Sequence, residues 1–345
     1  MKDGWEYKKL GEVCDIYQPK TISAKELVDN GDYLVYGANG VIGRYNSYNH
    51  ENSEVLMTCR GATCGTINVS EPYSWINGNA MVIHPKDNNI TQNFLSYHLR
   101  GIDLSDVITG AAQPQITRQS LSPKMIFIPP LAEQERIVAE LDLLTSIIDK
   151  KKAQLKELDQ LAQSIFYTMF GDPITNEKGW EVKKMGEVYK LKSGDGLSAK
   201  QFVYGPYPVY GGNGISGYHN KYNKDGNYII IGRVGAYCGN VRYVEGKFWL
   251  TDNAFQLFYD SSKQLPVFVT HFLTHLNLHR FANQAAQPVI SNITLKDIKV
   301  LFPPLPLQQE FASKIEAIER QKSLIQQSIV ETQTLFDSRM EHWFN

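Results

Sequence analysis

A long internal repeat constrains the fold of this chain more than any other feature of its sequence. Short blocks recur in the same order, 174 or 175 residues apart. The first-copy blocks are Trp5–Val13, Tyr36–Gly40, Gly61–Gly65, Ala111–Pro114 and Pro129–Leu131, and the second-copy blocks are Trp180–Val188, Tyr210–Gly214, Gly235–Gly239, Ala285–Pro288 and Pro303–Leu305. So constant an offset indicates a tandem duplication, and the 345 residues are therefore expected to form two similar domains.

Each copy begins with a part rich in Gly, Asn, Tyr and Thr and ends in a long polar–apolar pattern. Short β-like stretches at Glu54–Thr58 and Tyr228–Ile231, with helical segments near Thr91–Leu104 and Pro266–Asn283, predict a mixed α/β domain in each first part. A double proline then interrupts each copy before the long pattern begins.

The long patterns are heptad repeats, in which the stripe residues alternate at spacings of four and three. Glycine and proline do not occur between residues 131 and 169, so the first helix is predicted to be about 55–60 Å long. Such stripes are typical of coiled coils, and polar stripe residues at Lys151, Lys322, Thr332 and Arg339 would help to define the register. The apolar seam is predicted to consist of Ile137, Leu141, Leu144, Ile148, Leu155, Leu158 and Ile165 in the first helix and of Phe311, Ile315, Ile318, Ile325, Ile329 and Phe336 in the second.

Two packing arrangements of these helices are compatible with the pattern. Each helix could pack separately on its own domain, or the two could pair, and pairing is favoured because each seam then buries the other. The predicted fold is α+β: two tandem, diverged mixed α/β domains separated by an antiparallel coiled coil, with the domains at opposite ends and pseudo-two-fold symmetry. The predicted boundaries are 1–130 (head 1), 131–170 (central helix), 171–305 (head 2) and 306–345 (C-terminal helix).

Two related heads of different sequence suit an asymmetric target on DNA. B-DNA has an approximate two-fold axis at every base-pair step, so two related heads can address two half-sites. Because the heads have diverged, the half-sites can differ, and a stiff coil would determine the length of the spacer between them.

The order of the blocks resembles that of the specificity subunits of type I restriction–modification enzymes, over essentially the full chain. The resemblance rests on the repeated blocks, on Pro129–Gln134 at the start of a long helix and on the junction Met169–Pro173. It implies two target-recognition domains that read double-stranded DNA, with two adenine methyltransferase (M) subunits and ATP-dependent restriction (R) subunits as partners. The second copy departs from the pattern at Pro304–Gln309, which affects the start of the second helix rather than the assignment.

Sequence motifs for methyl transfer and for ATP hydrolysis are missing from the chain. Neither the Asn/Asp-Pro-Pro-aromatic motif of methyltransferases nor a G-x-x-x-x-G-K-[ST] phosphate loop occurs. Gly212–Gly217 matches the dinucleotide-binding pattern, but a glycine-rich turn is favoured because the residues after it do not form a helical pattern. His271, His275 and His279 could share one helical face, and we expect a solvated or DNA-facing surface there rather than a metal site, because the first copy has no histidines at these positions. We therefore predict a non-catalytic subunit with no cofactor or metal of its own, and the resemblance places S-adenosylmethionine, ATP and Mg²⁺ in partner subunits.

Candidate DNA contacts are polar residues in the loop-rich parts of the two heads. Base edges are read mainly by Arg, Asn and Gln, whereas Lys, Arg, hydroxyl groups and backbone amides position phosphates. For any single residue, a hydrogen bond to its own backbone is an equally good explanation. Positions that differ between the copies, such as Thr63 and Tyr237, are better candidates for sequence discrimination than shared ones. The candidates are Asn39, Arg44, Arg60, Thr63, Asn77, Gln113, Gln115 and Arg118 in head 1 and Asn213, His219, Lys221, Arg233, Tyr237, Arg242, Gln287 and Asn292 in head 2.

The charge of the chain is nearly balanced, with 35 basic and 36 acidic residues. This excludes a strongly basic nucleic-acid coat but not a binder that shares phosphate contacts with partners. Head 1 has 11 basic and 13 acidic residues, whereas head 2 has 15 and 10. We expect a cytoplasmic protein, because the sequence has no apolar stretch of membrane-spanning length and its first residues lack the apolar core of a signal peptide.

Two other function classes remain open from the residues alone. A protein–protein scaffold with two binding heads on a coiled-coil rod agrees with the neutral charge and the 19 tyrosines. A glycan-active enzyme would need a repeated pair of carboxylates in a cleft, and acidic positions shared by the two copies are few. The ordered match to a DNA-reading family favours DNA recognition.

Overall fold

The computed structural model describes residues 4–110, 113–283 and 287–344, which divide into two compact units. Unit 1 comprises Met1–Lys152 and Gln327–Asn345, and unit 2 comprises Ala153–Gln326. Each unit therefore contains one head and a part of each long helix. The repeated alanines of the Ala-Ala-Gln-Pro blocks (111–112 and 285–286) lie outside the described residues.

Head 1 is built from short strands and short helices, arranged as three small sheets with the orders β1-β9, β2-β8-β5-β6 and β4-β3-β7. Its helices are α1 (Leu10–Val13), α2 (Gln92–Gly101) and α3 (Arg118–Leu121), with a 3-10 turn at Ala24–Glu26. The helix predicted near Thr91–Leu104 is confirmed as α2, which Thr91 caps through its hydroxyl group. Its strands are β1 (Glu6–Lys9), β2 (Cys14–Tyr17), β3 (Tyr33–Gly37), β4 (Gly40–Tyr45), β5 (Val55–Thr58), β6 (Ile67–Val69), β7 (Trp75–Ile76), β8 (Ala80–Pro85) and β9 (Met125–Ile128).

Head 2 follows α4 (Leu131–Phe170) and contains a two-stranded sheet, β10-β17, and a six-stranded sheet with the order β11-β16-β14-β15-β12-β13. Its helices are α5 (Met185–Val188), α6 (Pro266–Leu276) and α7 (Asn292–Leu295), with 3-10 turns at Ala199–Gln201 and Leu278–Phe281, and α8 (Leu305–Phe344) follows. Its strands are β10 (Glu181–Lys184), β11 (Lys190–Ser193), β12 (Tyr207–Gly211), β13 (Gly214–His219), β14 (Lys224–Gly232), β15 (Val241–Leu250), β16 (Ala254–Phe258) and β17 (Lys299–Phe302).

The larger sheet of head 2 is continuous because β15 is uninterrupted. The corresponding residues of head 1 are split into β6 and β7. Between them lie Pro72, which has no amide hydrogen for a ladder, and Tyr73, whose φ is +53°. The pairing is otherwise shared: β7 pairs in parallel with β3, as β15 does with β12.

The prediction that the long helices pair in antiparallel fashion is confirmed. In unit 1, Glu140 of α4 pairs with Arg339 of α8, and Lys151, eleven residues further along α4, contacts Ser328, eleven residues earlier in α8. In unit 2, the Asp159 carboxylate lies 2.9 Å from the Lys322 ammonium group. The two predicted arrangements occur together: the helices pair with each other, and both also pack on the heads. The apolar cluster of each head includes residues from both helices.

The stripe residues lie at these contacts. Each residue of the predicted seam is buried or half-buried, whereas Leu143, Leu324 and Val330, outside the seam, are more than half exposed. The polar stripe residues also find partners: the Lys151 ammonium group donates to the Ser328 and Thr332 hydroxyl groups at 2.6 and 2.9 Å. A half-buried ammonium group is partly shielded from water and needs such acceptors, so a shift of the helices past each other would separate it from these partners.

A buried glutamine joins each head to the start of its long helix. The Gln134 side chain is 0% exposed; its Oε1 accepts the Thr91 N–H at 2.9 Å, and its Nε2 donates to the carbonyls of Asn89 and Pro129 at 2.7 and 2.9 Å. Gln308, 174 residues later, repeats this arrangement with Leu265, Lys263 and Pro303. The departure at Pro304–Gln309 therefore leaves the joint intact.

The core of unit 1 contains a buried histidine whose ring packs on three phenylalanines. His98 on α2 is 0% exposed, and its ring packs on Phe94, Phe127 and Phe344, with centroids 5.7, 4.2 and 5.4 Å away. Neither of its ring nitrogens has a hydrogen-bond partner among the described residues. Burial lowers the pKa of His98 to about 3, because an imidazolium ion cannot be solvated there.

The first prediction concerns the effect of His98 on stability at low pH. The pKa of His98 is lower in the folded state than in the unfolded state, where it is about 6.5. The ring therefore does not affect the free energy of unfolding above pH 6.5, and it lowers that free energy progressively as the pH falls toward 3. His98→Phe introduces the residue that head 2 has at this position, Phe272. When the pH is lowered from 7 to 5, wild type should lose about 2 kcal/mol of unfolding free energy that His98→Phe retains. The difference in unfolding free energy between the variant and wild type should therefore shift by about 2 kcal/mol in favour of the variant.

Urea denaturation at both pH values measures this difference. Phe272→Leu is the matched control, since it alters the same position of head 2 without a titratable group. A difference between His98→Phe and wild type that does not change with pH would contradict the prediction.

Candidate nucleic-acid interface

Each head presents a two-residue hairpin turn at the Tyr-Gly-x-Asn-Gly block. In head 1 the hairpin β3–β4 turns at Ala38-Asn39, and in head 2 the hairpin β12–β13 turns at Gly212-Asn213. The residue after each turn is a glycine, and its φ is positive, +108° at Gly40 and +97° at Gly214. Glycine adopts this backbone conformation more readily than any other residue. The predicted glycine-rich turn is therefore found at Gly212-Asn213, whereas Gly214–Gly217 belong to β13, and Asn39 and Asn213 are exposed at the tips.

A second loop lies beside each turn and is also held by glycines. The loops are Gly61–Gly65 and Gly235–Gly239, and their terminal glycines have φ values between +91° and +95°. The Gly61 N–H donates to the Pro114 carbonyl at 3.0 Å, and the Gly235 N–H donates to the Pro288 carbonyl at 2.9 Å. The Gln-Pro blocks thus lie against these loops, although about 50 residues separate them in sequence.

The hairpin turn and the second loop form one surface in each head. The Thr58 hydroxyl donates to the Ala38 carbonyl in head 1. In head 2 a Cβ on Gly232 would lie 2.1 Å from the Gly212 carbonyl oxygen, so this close approach requires glycine. We define the loop face of head 1 as residues 37–40, 60–65, 78–79 and 113–116, and that of head 2 as residues 211–214, 234–239, 252–253 and 287–290.

Most of the candidate DNA contacts lie on or beside these loop faces. In head 2, the guanidinium carbon of Arg242 would be 3.1 Å from a Cβ on Gly214, which places this side chain against the turn. Arg233 precedes the loop face, and Arg118 and Asn292 begin the short helices that follow it. The exposed candidates on or beside the faces are Asn39, Arg60, Thr63, Gln113 and Arg118 in head 1 and Asn213, Tyr237, Arg242, Gln287 and Asn292 in head 2, and Gln115 and Arg233 are half-buried.

Three candidates lie away from the loop faces, and a fourth, Asn77, is buried beneath the face of head 1. Arg44, His219 and Lys221 lie at or beyond the opposite ends of the hairpins; the Arg44 guanidinium donates to the Gly31 carbonyl at 2.9 Å, and the His219 ring accepts the Val203 N–H at 3.1 Å. Asn77 is 4% exposed, and its amide bonds both the N–H and the C=O of Ile22, at 2.9 and 3.3 Å. For Arg44, His219 and Asn77, the structure favours the alternative of a bond to the chain's own backbone.

Head 2 lacks the hydrogen bonds that Asn77 makes in head 1. The corresponding residue, Thr251, is 3% exposed, and its hydroxyl group has no hydrogen-bond partner in the part of the chain that the structure describes. Thr251 lines a cavity of about 440 Å³ together with Ser198, Phe202 and Asn213. This difference beneath the two loop faces was not visible in the sequence, because only the fold shows that Asn77 reaches Ile22.

The expectation of a solvated or DNA-facing histidine surface on α6 is wrong for two of its three residues. His271 and His275 are half-buried against the long helices of unit 2, with ring centroids 5.2 Å from Phe311 and 4.6 Å from Phe166. Burial lowers the pKa of His271 to about 4 and also lowers that of His275, so both rings are neutral at pH 7. His279 is exposed beyond the end of α6.

The loop faces do not provide an activated nucleophile in the described ranges. Cys64 and Cys238 lie in the second loops, and burial raises the pKa of both thiols, so they stay protonated at neutral pH. Among residues 4–110, 113–283 and 287–344, no group of three or more His, Cys, Asp or Glu side chains could hold a metal ion. In the same residues, no helix is long and apolar enough to cross a membrane.

The chain matches the model of the type I restriction modification DNA specificity domain twice, over residues 2–160 and 177–333. Since the two matches cover most of the sequence, the chain belongs to this family and contains two copies of its domain.

Individual relatives are also named as specificity subunits, and each matches about half of the chain. The type I restriction enzyme EcoprrI specificity subunit of Escherichia coli is 31% identical over 198 residues, 55% of this chain and 49% of that protein. The MjaIX specificity subunit of Methanocaldococcus jannaschii is 27% identical over 44% of this chain and 39% of that protein. The matches therefore span half or less of the length of these two relatives.

Solved structures share the fold over the full length. An S subunit of a type I restriction-modification system from M. genitalium has a TM-score of 0.64 at 16% identity, and the match covers 99% of this chain and 96% of that one. A chain from a study of type I R-M complex assembly has a TM-score of 0.59 at 16% identity, with 100% and 98% covered. At this level of sequence identity, both similarities show that the fold is shared.

The second prediction tests the structural role of Asn77. We expect Asn77→Thr, which introduces the head 2 residue, to lower the free energy of unfolding by about 2–4 kcal/mol, because the buried N–H and C=O of Ile22 would both lose a partner. Urea denaturation measures the change. Thr251→Asn is the reciprocal control and should not destabilise the protein; an Asn77→Thr variant as stable as wild type would refute the assigned role.

Proposed function

We propose that this chain is the DNA sequence-recognition subunit of a type I restriction–modification complex. Each head reads one half-site of a bipartite, asymmetric target through its loop face, and the α4–α8 pair sets the spacer between the half-sites. The chain itself carries out no reaction. It directs N6-adenine methylation and ATP-dependent cleavage by its partner subunits.

The observation that carries this proposal is that one surface occurs twice with different side chains. The same backbone contacts, from Gly61 to Pro114 and from Gly235 to Pro288, support both loop faces. At equivalent exposed positions, however, head 1 has Thr63 where head 2 has Tyr237. A shared frame with variable side chains is what reading two different half-sites requires.

The proposed partners follow from family membership. Two methyltransferase subunits would flip the target adenine, bind S-adenosylmethionine and transfer the methyl group. Restriction subunits would use ATP and Mg²⁺. The loop faces carry side-chain amides in both heads, with Arg60 on the face of head 1 and Arg242 against the turn of head 2, and these groups suit recognition of base edges and phosphates.

The third prediction tests whether each head reads one half of the target. Replacing residues 1–130 by head 1 of another family member should change one half of the methylated motif and leave the other half and the spacer unchanged. Single-molecule sequencing of N6-methyladenine in cells that express the chimera with its methyltransferase genes measures this. The unaltered chain is the control, and a motif that changes in both halves, or in neither, would contradict the proposal.

The fourth prediction tests the spacer. Inserting one heptad after Lys152 and one after Gln326, beside the contact of Lys151 with Ser328, preserves the stripe and adds about 10 Å to each helix. At about 3.4 Å per base pair, the unmethylated gap of the motif should lengthen by about three base pairs.

A matched pair of two-residue insertions at the same places is the control for the heptad variant. Because two residues rotate the rest of each helix by about 200°, the stripe beyond the insertion turns away from the partner helix, and we expect that control to lose methylation altogether. A functional heptad variant whose gap is unchanged would show that the helices do not set the spacer.

A further inference from the structure

A cluster of exposed aromatic side chains lies at the end of the second hairpin that is opposite its turn. Tyr204 is 99% exposed, and Val203, Tyr218 and Tyr222 are 52%, 54% and 41% exposed. Exposing large apolar groups next to one another to water is unfavourable, so clusters of this kind are typical of surfaces that bind a partner molecule.

The cluster is held in place by contacts within head 2. The Val203 N–H donates to the His219 ring, and a Cβ on Gly205 would lie 2.3 Å from the Cα of Asn220, so this segment packs directly on the end of β13. The Tyr207 and Tyr222 rings are 4.9 Å apart, and the Lys247 ammonium group lies 4.8 Å from the Tyr222 ring centroid. We call Val203, Tyr204, Tyr218, Lys221, Tyr222 and Lys247 the hairpin-base patch.

Lysines give the patch a positive charge. Lys221 and Lys247 are exposed, and the Asp225 carboxylate lies 3.9 Å from the Lys247 ammonium group. That ion pair is largely exposed on both sides and is therefore weak, so it leaves Lys247 available to another anion.

The equivalent surface of head 1 also carries tyrosines, Tyr48 and Tyr73, but it has the opposite charge. Its segment 28–32 carries exposed carboxylates at Asp29 and Asp32, and Ser47 stands at the position of Lys221. Its arginine, Arg44, is bound to the carbonyls of Gly31 and Asp32. The difference agrees with the charges of the whole heads, since head 2 has an excess of basic residues and head 1 an excess of acidic ones.

We infer that the hairpin-base patch binds the sugar–phosphate backbone of duplex DNA next to the half-site that head 2 reads, so that head 2 anchors the subunit on DNA more strongly than head 1 does. This inference rests on the proposed function. The ammonium groups of Lys221 and Lys247 would neutralise phosphates, and the exposed tyrosine hydroxyl groups would donate to phosphate oxygens.

The length of the hairpin separates this contact from base reading. About five residues lie between the turn at Gly212-Asn213 and the patch, which corresponds to about 17 Å along the strands. This is more than the width of the major groove, about 12 Å, so the patch and the turn would meet different parts of the duplex. The patch therefore adds affinity without adding sequence specificity.

The fifth prediction tests the patch through the salt dependence of DNA binding. The full chain, purified with its methyltransferase subunits, is titrated by fluorescence anisotropy with a duplex of arbitrary sequence and with one that carries the methylated motif, each about 40 base pairs long, from about 50 to 300 mM KCl. For Lys221→Gln/Lys247→Gln we expect the plot of log affinity against log salt concentration to become less steep with both duplexes, with the slope changing by about 1.8. The reason is that each phosphate that is no longer neutralised reduces the slope by about 0.9. The ratio of the two affinities at a given salt concentration should change by less than about twofold.

Matched variants show whether the effect belongs to the patch. Lys178→Gln/Lys263→Gln removes two exposed charges elsewhere in the same unit and should leave the slope unchanged. Tyr204→Ala should weaken binding to both duplexes without lowering the melting temperature, because its side chain is almost fully exposed.

The outcomes separate the patch from the proposed function. A slope that stays at the wild-type value in Lys221→Gln/Lys247→Gln overturns the inference, even when the wild-type complex prefers its motif. Loss of the methyltransferase subunits from the purified variant would also overturn it, since the patch would then bind protein. A wild-type complex without preference for the motif would instead refute the proposed function.

Discussion

The whole structure depends on two long helices that bury one another and the heads at the same time. In unit 1, Ile137 of α4 and Phe344 of α8 belong to the same apolar cluster as the head 1 core, and in unit 2 Phe166 and Phe311 do the same for head 2. Neither head completes its core without both helices, because buried side chains of α4 and α8 are members of each apolar cluster. A change in the register of the pair would therefore disturb the heads as well as the coil.

The joints between heads and helices explain how a diverged duplication keeps one geometry. Gln134 and Gln308 each satisfy two backbone carbonyls and one backbone N–H in a site closed to water. Removing such an amide leaves several buried polar groups unpaired, which costs far more than a surface substitution. The residues around the second glutamine could change, as Pro304–Gln309 did, provided that the amide stayed in place.

The heads combine a rigid backbone with variable surfaces, and the variation reaches below the surface. Glycines with positive φ hold the second loops of both heads in the same form, while their exposed side chains differ. Beneath the faces, Asn77 fills its site with hydrogen bonds, whereas Thr251 leaves a hydroxyl group beside a cavity. The hairpin ends extend this asymmetry in their charge: both carry tyrosines, but the head 1 end has exposed carboxylates and the head 2 end has exposed lysines.

The sequence by itself determined the duplication, the α2 helix, the glycine turns and the long paired helices, because repeats, glycine positions and heptad periods are local patterns that survive without the fold. Only the tertiary structure decided which polar residues share a surface. The Gly61 N–H donates to the Pro114 carbonyl, and the Arg44 guanidinium donates to the backbone carbonyl of Gly31. Asn77 is buried, and the His271 ring packs on Phe311 of α8. These outcomes depend on strand pairing and helix packing between residues far apart in the chain, and no local spacing records which face of an element another part of the chain will cover.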